Sequence, residues 1–226
     1  MLWYKAWLET RWRFVFTIGW MMLPWLAIPL LGVNPERLWR SLELESVLLY
    51  CFAALFLAGA GINSQTFYAA TAGYHGSMLY TLSLPVSRRR LFFVRAGLGA
   101  VETCALVVMT VGMTLFWRPE TTSASQVFRY GIRALVCTMA VYALSALLAC
   151  VLDEMWQFMG ACLCLGAVFL IQFRSTTVSQ LSPLRGMNLL SYPLTAPMPW
   201  APVVASVVCT GVLVYTSVLV LQRKEY

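Results

Sequence analysis

The chain has 226 residues, of which 60% are hydrophobic, 14% aromatic and only 11% charged, with a mean hydropathy of +0.74; soluble domains carry roughly 25% charged residues. An ordinary soluble domain is excluded, and because a bilayer span takes about 20 apolar residues, six spans leave about 100 for all connections and both termini. The net charge of +7, from 16 Lys+Arg against 9 Asp+Glu, reads as membrane topology rather than nucleic-acid binding, since no basic soluble arm accompanies it.

Residues 1–13, MLWYKAWLETRWR, set Trp3 and Trp7, and Tyr4, Leu8 and Trp12, at i, i+4 spacing with Lys5, Glu9, Arg11 and Arg13 between them. The pattern predicts an amphipathic helix lying in the membrane interface, where tryptophan prefers the headgroup level. A signal peptide fits poorly, because the stretch contains Glu9 and no small-x-small cleavage site follows the next apolar run.

The first span is predicted over 14–31, kinked at Pro24 and Pro29. A polar connection over 34–45 leads to a second span over 47–68, apolar to Ile62 and then polar but free of Gly, Pro and charge as far as Tyr68. The connection 69–95 is the most basic one, with Arg88, Arg89, Arg90 and Arg95. Such a cluster is hard to translocate, so this loop and both termini are expected in the cytoplasm. Further spans are predicted over 96–116, 134–152, 156–173 and 201–221. Asp153-Glu154-Met155 joins the fourth and fifth in a tight hairpin and puts two acids at a helix start, where the helix dipole favours them. The connection 174–200 carries Pro183, Pro193, Pro197 and Pro199 among apolar stretches, which predicts short interfacial or re-entrant helices on the outer side, shielded by protein. All seven cysteines fall in the apolar runs and are expected to act as small buried hydrophobes.

Little in the chain carries chemistry. There is no G-x-x-x-x-G-K-[ST] phosphate loop, so ATP hydrolysis is not expected of it. His75 is the only histidine, Asp153 the only aspartate, and no G-x-S-x-G frames a serine, so neither a hydrolase nor a metal site is expected. One acid, Glu102, falls inside a predicted span, seven residues after Arg95 and about 10 Å along the same helix face. On a continuous helix that stripe runs Arg88, Arg95, Glu102, Met109, Phe116. An intramembrane acid is a candidate functional residue; the alternative is a pairing near the inner interface with Arg95 or with another helix.

Residues 74–82 can form a short amphipathic helix with Met78, Leu79 and Leu82 on one side. Pro85 breaks it, and Ser87 can cap the helix that runs through the arginines into the third span. A short helix joined to a membrane span by a rigid corner can serve as a lever; the plainer reading is a juxtamembrane loop with a topology-setting basic cluster.

The stretch Gly76-Ser77 through Leu82 to Leu84-Pro85-Val86-Ser87-Arg88 resembles the coupling element of ABC-2-type ATP-binding cassette exporter permeases, which follows the second span and docks on the ATPase. The resemblance covers nearly the whole chain; its specific part is 84–88, and the chain departs from it in lacking an acid over 69–75. It implies an all-α integral membrane protein with an N-terminal interfacial helix and six transmembrane helices, of the ABC-2, type V exporter-like architecture. It also implies a dimer of permeases, identical or paired with a homologue, in a bacterial inner membrane, with ATP and Mg held by separate cassette ATPase subunits and spans one, two and five lining the pathway. Tyr74, His75, Gly76, Met78, Leu79, Leu82, Pro85, Arg88, Arg89 and Arg90 are then the expected contacts with the ATPase. The aromatic, weakly charged spans suit a lipidic, peptide or amphipathic cargo better than a small ion. A membrane scaffold or assembly factor without transport activity is the alternative.

Overall fold

Where water is scarce a backbone must satisfy its own hydrogen bonds, and a single apolar segment does so only as a helix. The computed structural model follows that rule; it describes residues 2–31, 35–58, 88–116, 123–152, 154–189, 191–192, 194 and 196–223. Among these the regular elements are all helical: α1 (Leu2–Leu31), α2 (Pro35–Leu57), α3 (Arg88–Phe116), α4 (Ala124–Val151), α5 (Glu154–Arg174), α6 (Thr176–Leu181), α7 (Pro183–Met187) and α8 (Trp200–Arg223). Within α3, α4 and α8, three stretches are long and apolar enough to cross a membrane: Phe92–Phe116, Ala124–Val151 and Trp200–Arg223. Ser46–Leu57 and Trp156–Gln172 are shorter apolar helices. The chain thus has the character of an all-α membrane protein.

Several boundaries differ from those expected of hydropathy alone. α1 runs unbroken from Leu2 to Leu31, so the stretch 1–13 expected to lie apart as an interfacial helix is continuous with the span that follows. Thirty residues at 1.5 Å each make about 45 Å, longer than a hydrocarbon core of about 30 Å. α2 begins at Pro35, inside the expected polar connection 34–45; proline suits a first helical position because its missing N–H has no partner there in any case. α4 starts at Ala124 rather than near 134 because Ser123 and Gln126 form a reciprocal capping box, with the Gln126 side chain accepting from the Ser123 N–H at 2.8 Å. α3 starts at Arg88 and takes the arginines into its first turns, as expected of a helix running through them into the third span.

α4 is the hub, packed against α2, α3, α5, α7 and α8. Its buried positions are mostly small: Ala134, Cys137, Ala140, Ala143, Ala146 and Ala149, which lets neighbouring backbones approach closely. α3 runs antiparallel to α4, with Phe92 against Ala149 and Cys150, and α8 runs parallel to it, Ser206 meeting Cys137 and Leu221 meeting Cys150. α1 and α2 are antiparallel, joined by ring contacts Phe16–Phe56 and Trp20–Phe52 at 5.5 Å. Buried hydroxyls bond back to their own helices: Thr103 to the Gly99 carbonyl, Thr110 to Leu106, Thr138 to Ala134 and Ser206 to Pro202.

The outward faces are apolar too, with Leu163, Leu170, Val208 and Tyr215 all more than half exposed. Cys162, Cys164 and Cys209 lie on these faces and are exposed, correcting the expectation that all seven cysteines are buried within the chain. Their helices turn only one side to the bundle.

α2, α3 and α4 meet at Gly99, where a Cβ would stand 2.5 Å from the Tyr142 hydroxyl and 3.1 Å from the Leu57 carbonyl. Tyr142 cannot simply swing away, since it is buried and donates to the Ala96 carbonyl at 2.7 Å. Gly99→Ala is therefore expected to cost about 1–3 kcal/mol, read as a lower midpoint of unfolding in a detergent titration. In a Tyr142→Phe background the same substitution should cost less, because the oxygen it meets is gone; equal costs in both backgrounds would refute the close contact.

Candidate functional site

Of the expected ATPase contacts, Tyr74, His75, Gly76, Met78, Leu79, Leu82 and Pro85 lie outside the described residues, as does the far end of the predicted span 47–68. The helix that follows them is described. Arg88, Arg89 and Arg90 occupy the first turn of α3, and the Arg90 side chain is exposed.

The two ends of the undescribed stretch, Ala58 and Arg88, belong to one end of the bundle. Gln157, at the start of α5, fastens this end: its Nε2 donates to the Ala58 carbonyl at 3.0 Å and to the Ser145 hydroxyl of α4 at 2.8 Å. Phe92 of α3 packs there with Ala149 and Cys150 of α4 and Leu221 of α8. α1 joins along the side, where the tip of the Trp3 ring lies 3.3 Å from the place a Cβ on Gly97 would take.

Glu102 sits deeper on α3 and is 2% exposed. Its Oε1 accepts from the Thr10 hydroxyl at 2.5 Å, while Oε2 has no hydrogen-bond partner. Thr10 is itself buried and turns the same hydroxyl toward the Ala6 carbonyl at 3.3 Å. The structure thus gives Glu102 a partner on another helix. The seven-residue stripe holds for only part of its length: Arg95 and Glu102 are buried, Met109 is half-buried and Phe116 is exposed. A helix of 3.6 residues per turn rotates such a stripe by about 20° per repeat.

A second polar cluster lies toward the opposite end. Arg133 of α4, buried, donates through Nη2 to the Tyr192 carbonyl at 2.7 Å, and Tyr130, one turn earlier, donates to the Tyr50 hydroxyl of α2 at 3.3 Å. α6 and α7 cover this end as the short helices expected in 174–200. Ser182 caps α7 through the Leu184 N–H, and Gln172 donates to the same hydroxyl at 2.6 Å. Gly186 lets α7 wedge against α4 and α8, because a Cβ there would meet the Cys137 sulfur at 2.5 Å and Pro202 at 3.4 Å. Ser46 of α2 donates to the Met187 carbonyl at 3.4 Å.

Sequence reasoning missed Thr10, Gln157 and Arg133 as structural centres. Arg133 had a readable signal, a charge at the mouth of an apolar run with Tyr130 three residues before it. Thr10 and Gln157 had none, because their partners are remote in sequence. Among the described residues no three His, Cys, Asp or Glu side chains gather as metal ligands would. The chain matches no protein-family model, no curated protein and no solved structure.

The Thr10–Glu102 bond makes α1 and α3 mutually dependent. Thr10→Val keeps the shape but removes the donor from a buried carboxyl, and should cost about 1–3 kcal/mol. Glu102→Gln retains an acceptor for Thr10 and should cost less. Unfolding midpoints of the two variants in the same detergent titration decide it; a Thr10→Val chain as stable as the parent would mean that the bond contributes nothing.

Proposed function

We propose that the chain is the transmembrane permease subunit of an ATP-driven exporter of the ABC-2 type, acting as a pair of permeases with separate cassette ATPases in a bacterial inner membrane. The observation that carries this reading is the placement of Leu84-Pro85-Val86-Ser87-Arg88 directly ahead of α3, with Arg88 its first residue. Force delivered at Arg88 would pass along the axis of one long helix.

The packing supports that role. A displacement applied at Arg88–Arg90 reaches α1 through Trp3–Gly97 and Thr10–Glu102, and reaches α4 and α8 through Phe92. ATP-driven closure of the partner subunits would bias the bundle between two arrangements, as such a cycle requires. Arg90 is exposed in the first turn of α3. The cargo class favoured by the aromatic, weakly charged helices is lipidic, peptidic or amphipathic.

The test is association. The full chain, extracted in detergent, is expected to co-purify with a cassette ATPase encoded by a neighbouring reading frame and to stimulate its hydrolysis. Reversing Arg88, Arg89 and Arg90 to Glu should weaken retention at least about tenfold while leaving the chain's unfolding midpoint near that of the parent. A chain that neither binds nor stimulates such an ATPase would defeat this reading and leave the membrane scaffold.

A further inference from the structure

Arg133 is a cation placed where a cation is costly. It is 3% exposed, within a helix apolar enough to cross a membrane. One donor, Nη2, reaches the Tyr192 carbonyl, but the enclosed Nε–H meets no acceptor. Among the described residues, the titratable groups facing it are Tyr130, Cys137, Tyr192 and Tyr50, and none of these is a carboxylate. Its guanidinium carbon lies 5.3 Å from the Tyr130 ring centroid and 5.6 Å from that of Tyr192. These ring contacts offset part of the desolvation, yet buried charges are ordinarily paired.

Among the described residues, the other charge at the site is a second guanidinium. Arg185, from α7, also lies 5.6 Å from the Tyr192 ring and donates through Nη1 to the Ser179 hydroxyl at 2.5 Å. Two like charges held around one ring raise the local positive potential rather than cancel it. Arg185 is half-buried while Arg133 is enclosed, so the pair runs from the surface inward.

We propose that Arg133 and Arg185, set about Tyr192, form a binding site for one phosphate-type oxyanion, free or carried on a lipid headgroup. The enclosed Nε–H of Arg133 supplies a donor with no competing acceptor, and Arg185 supplies the outer charge. A tetrahedral phosphate offers oxygens in several directions and can be shared by guanidinium forks from two different helices, whereas a planar carboxylate matches one fork. The ligand supplies the counter-charge that the described protein groups do not. The site stands whether the chain is a permease or a scaffold.

The full chain, purified in an uncharged detergent and stripped of lipid, is titrated separately with inorganic phosphate, dioctanoyl phosphatidylglycerol and phosphate-free dioctanoylglycerol, with the thermal unfolding midpoint as readout. At least one phosphate-bearing probe should raise the midpoint saturably and the phosphate-free lipid should not. Arg185→Gln should weaken the response at least about tenfold with little change in the unliganded midpoint, and Arg133→Gln should abolish it. Saturation by inorganic phosphate identifies a free anion as sufficient, and saturation by phosphatidylglycerol alone identifies the headgroup. No saturable response to either probe, or an Arg185→Gln chain that responds like the parent, overturns the site; if Arg133→Gln does not fold, Arg185→Gln decides alone.

Discussion

Inside a bundle of apolar helices water is not at hand to satisfy a stray donor or acceptor, and α4 shows how the chain meets that constraint. It touches five other helices, so almost every side of it must be both thin and silent. Alanine and cysteine supply the thinness, and its Thr138 hydroxyl bonds back to Ala134 instead of seeking a neighbour. Three further polar groups on α4 have a specific partner on another helix: Tyr142 finds the Ala96 carbonyl, Ser145 finds Gln157 and Tyr130 finds Tyr50. The other helices take their depth and direction from these bonds, since lipid tails give apolar faces little reason to choose one register over another.

The contacts made by α1 extend that logic to a helix with little contact of its own with α4. Its first half is aromatic and basic, suited to a headgroup region, yet Thr10 within it reaches a buried acid on α3. The two halves of one unbroken helix must move together. Anything that shifts the first turns of α3 therefore acts on α1 as well, without an intervening loop to absorb the motion.

The apolar segments were legible because hydropathy reports them directly: α5 and α8 fall within a residue or two of the expected 156–173 and 201–221. The starts of α2 and α4 were misplaced because a helix that leaves an apolar run continues through polar sequence without changing its backbone. The local signals were nevertheless present, as Asn34-Pro35-Glu36 for α2 and Ser123-x-x-Gln126 for α4. What sequence could not supply was pairing at a distance. Glu102 was identifiable as an unusual acid, but Thr10 lies 92 residues away from it. Nothing in the pattern around Gln157 indicates that it ties α5 to both α2 and α4.

The two ends of the bundle solve the burial of polar groups in opposite ways. At the end that carries Ala58 and Arg88, the described cross-helix bonds at Gln157, Ser145 and Tyr142 are made by neutral groups, and each donor named there has an acceptor. A junction of such paired neutral bonds can be rigid. At the other end the enclosed polar group is a guanidinium with one donor unmet, beside a second guanidinium, under short helices joined through Ser182. Tyrosine rings lower the cost of holding those charges but cannot neutralise them. The paired neutral bonds described at one end and the unmet guanidinium donor described at the other answer to the same scarcity of water, and that donor gives the end covered by α6 and α7 an energetic reason to admit a ligand.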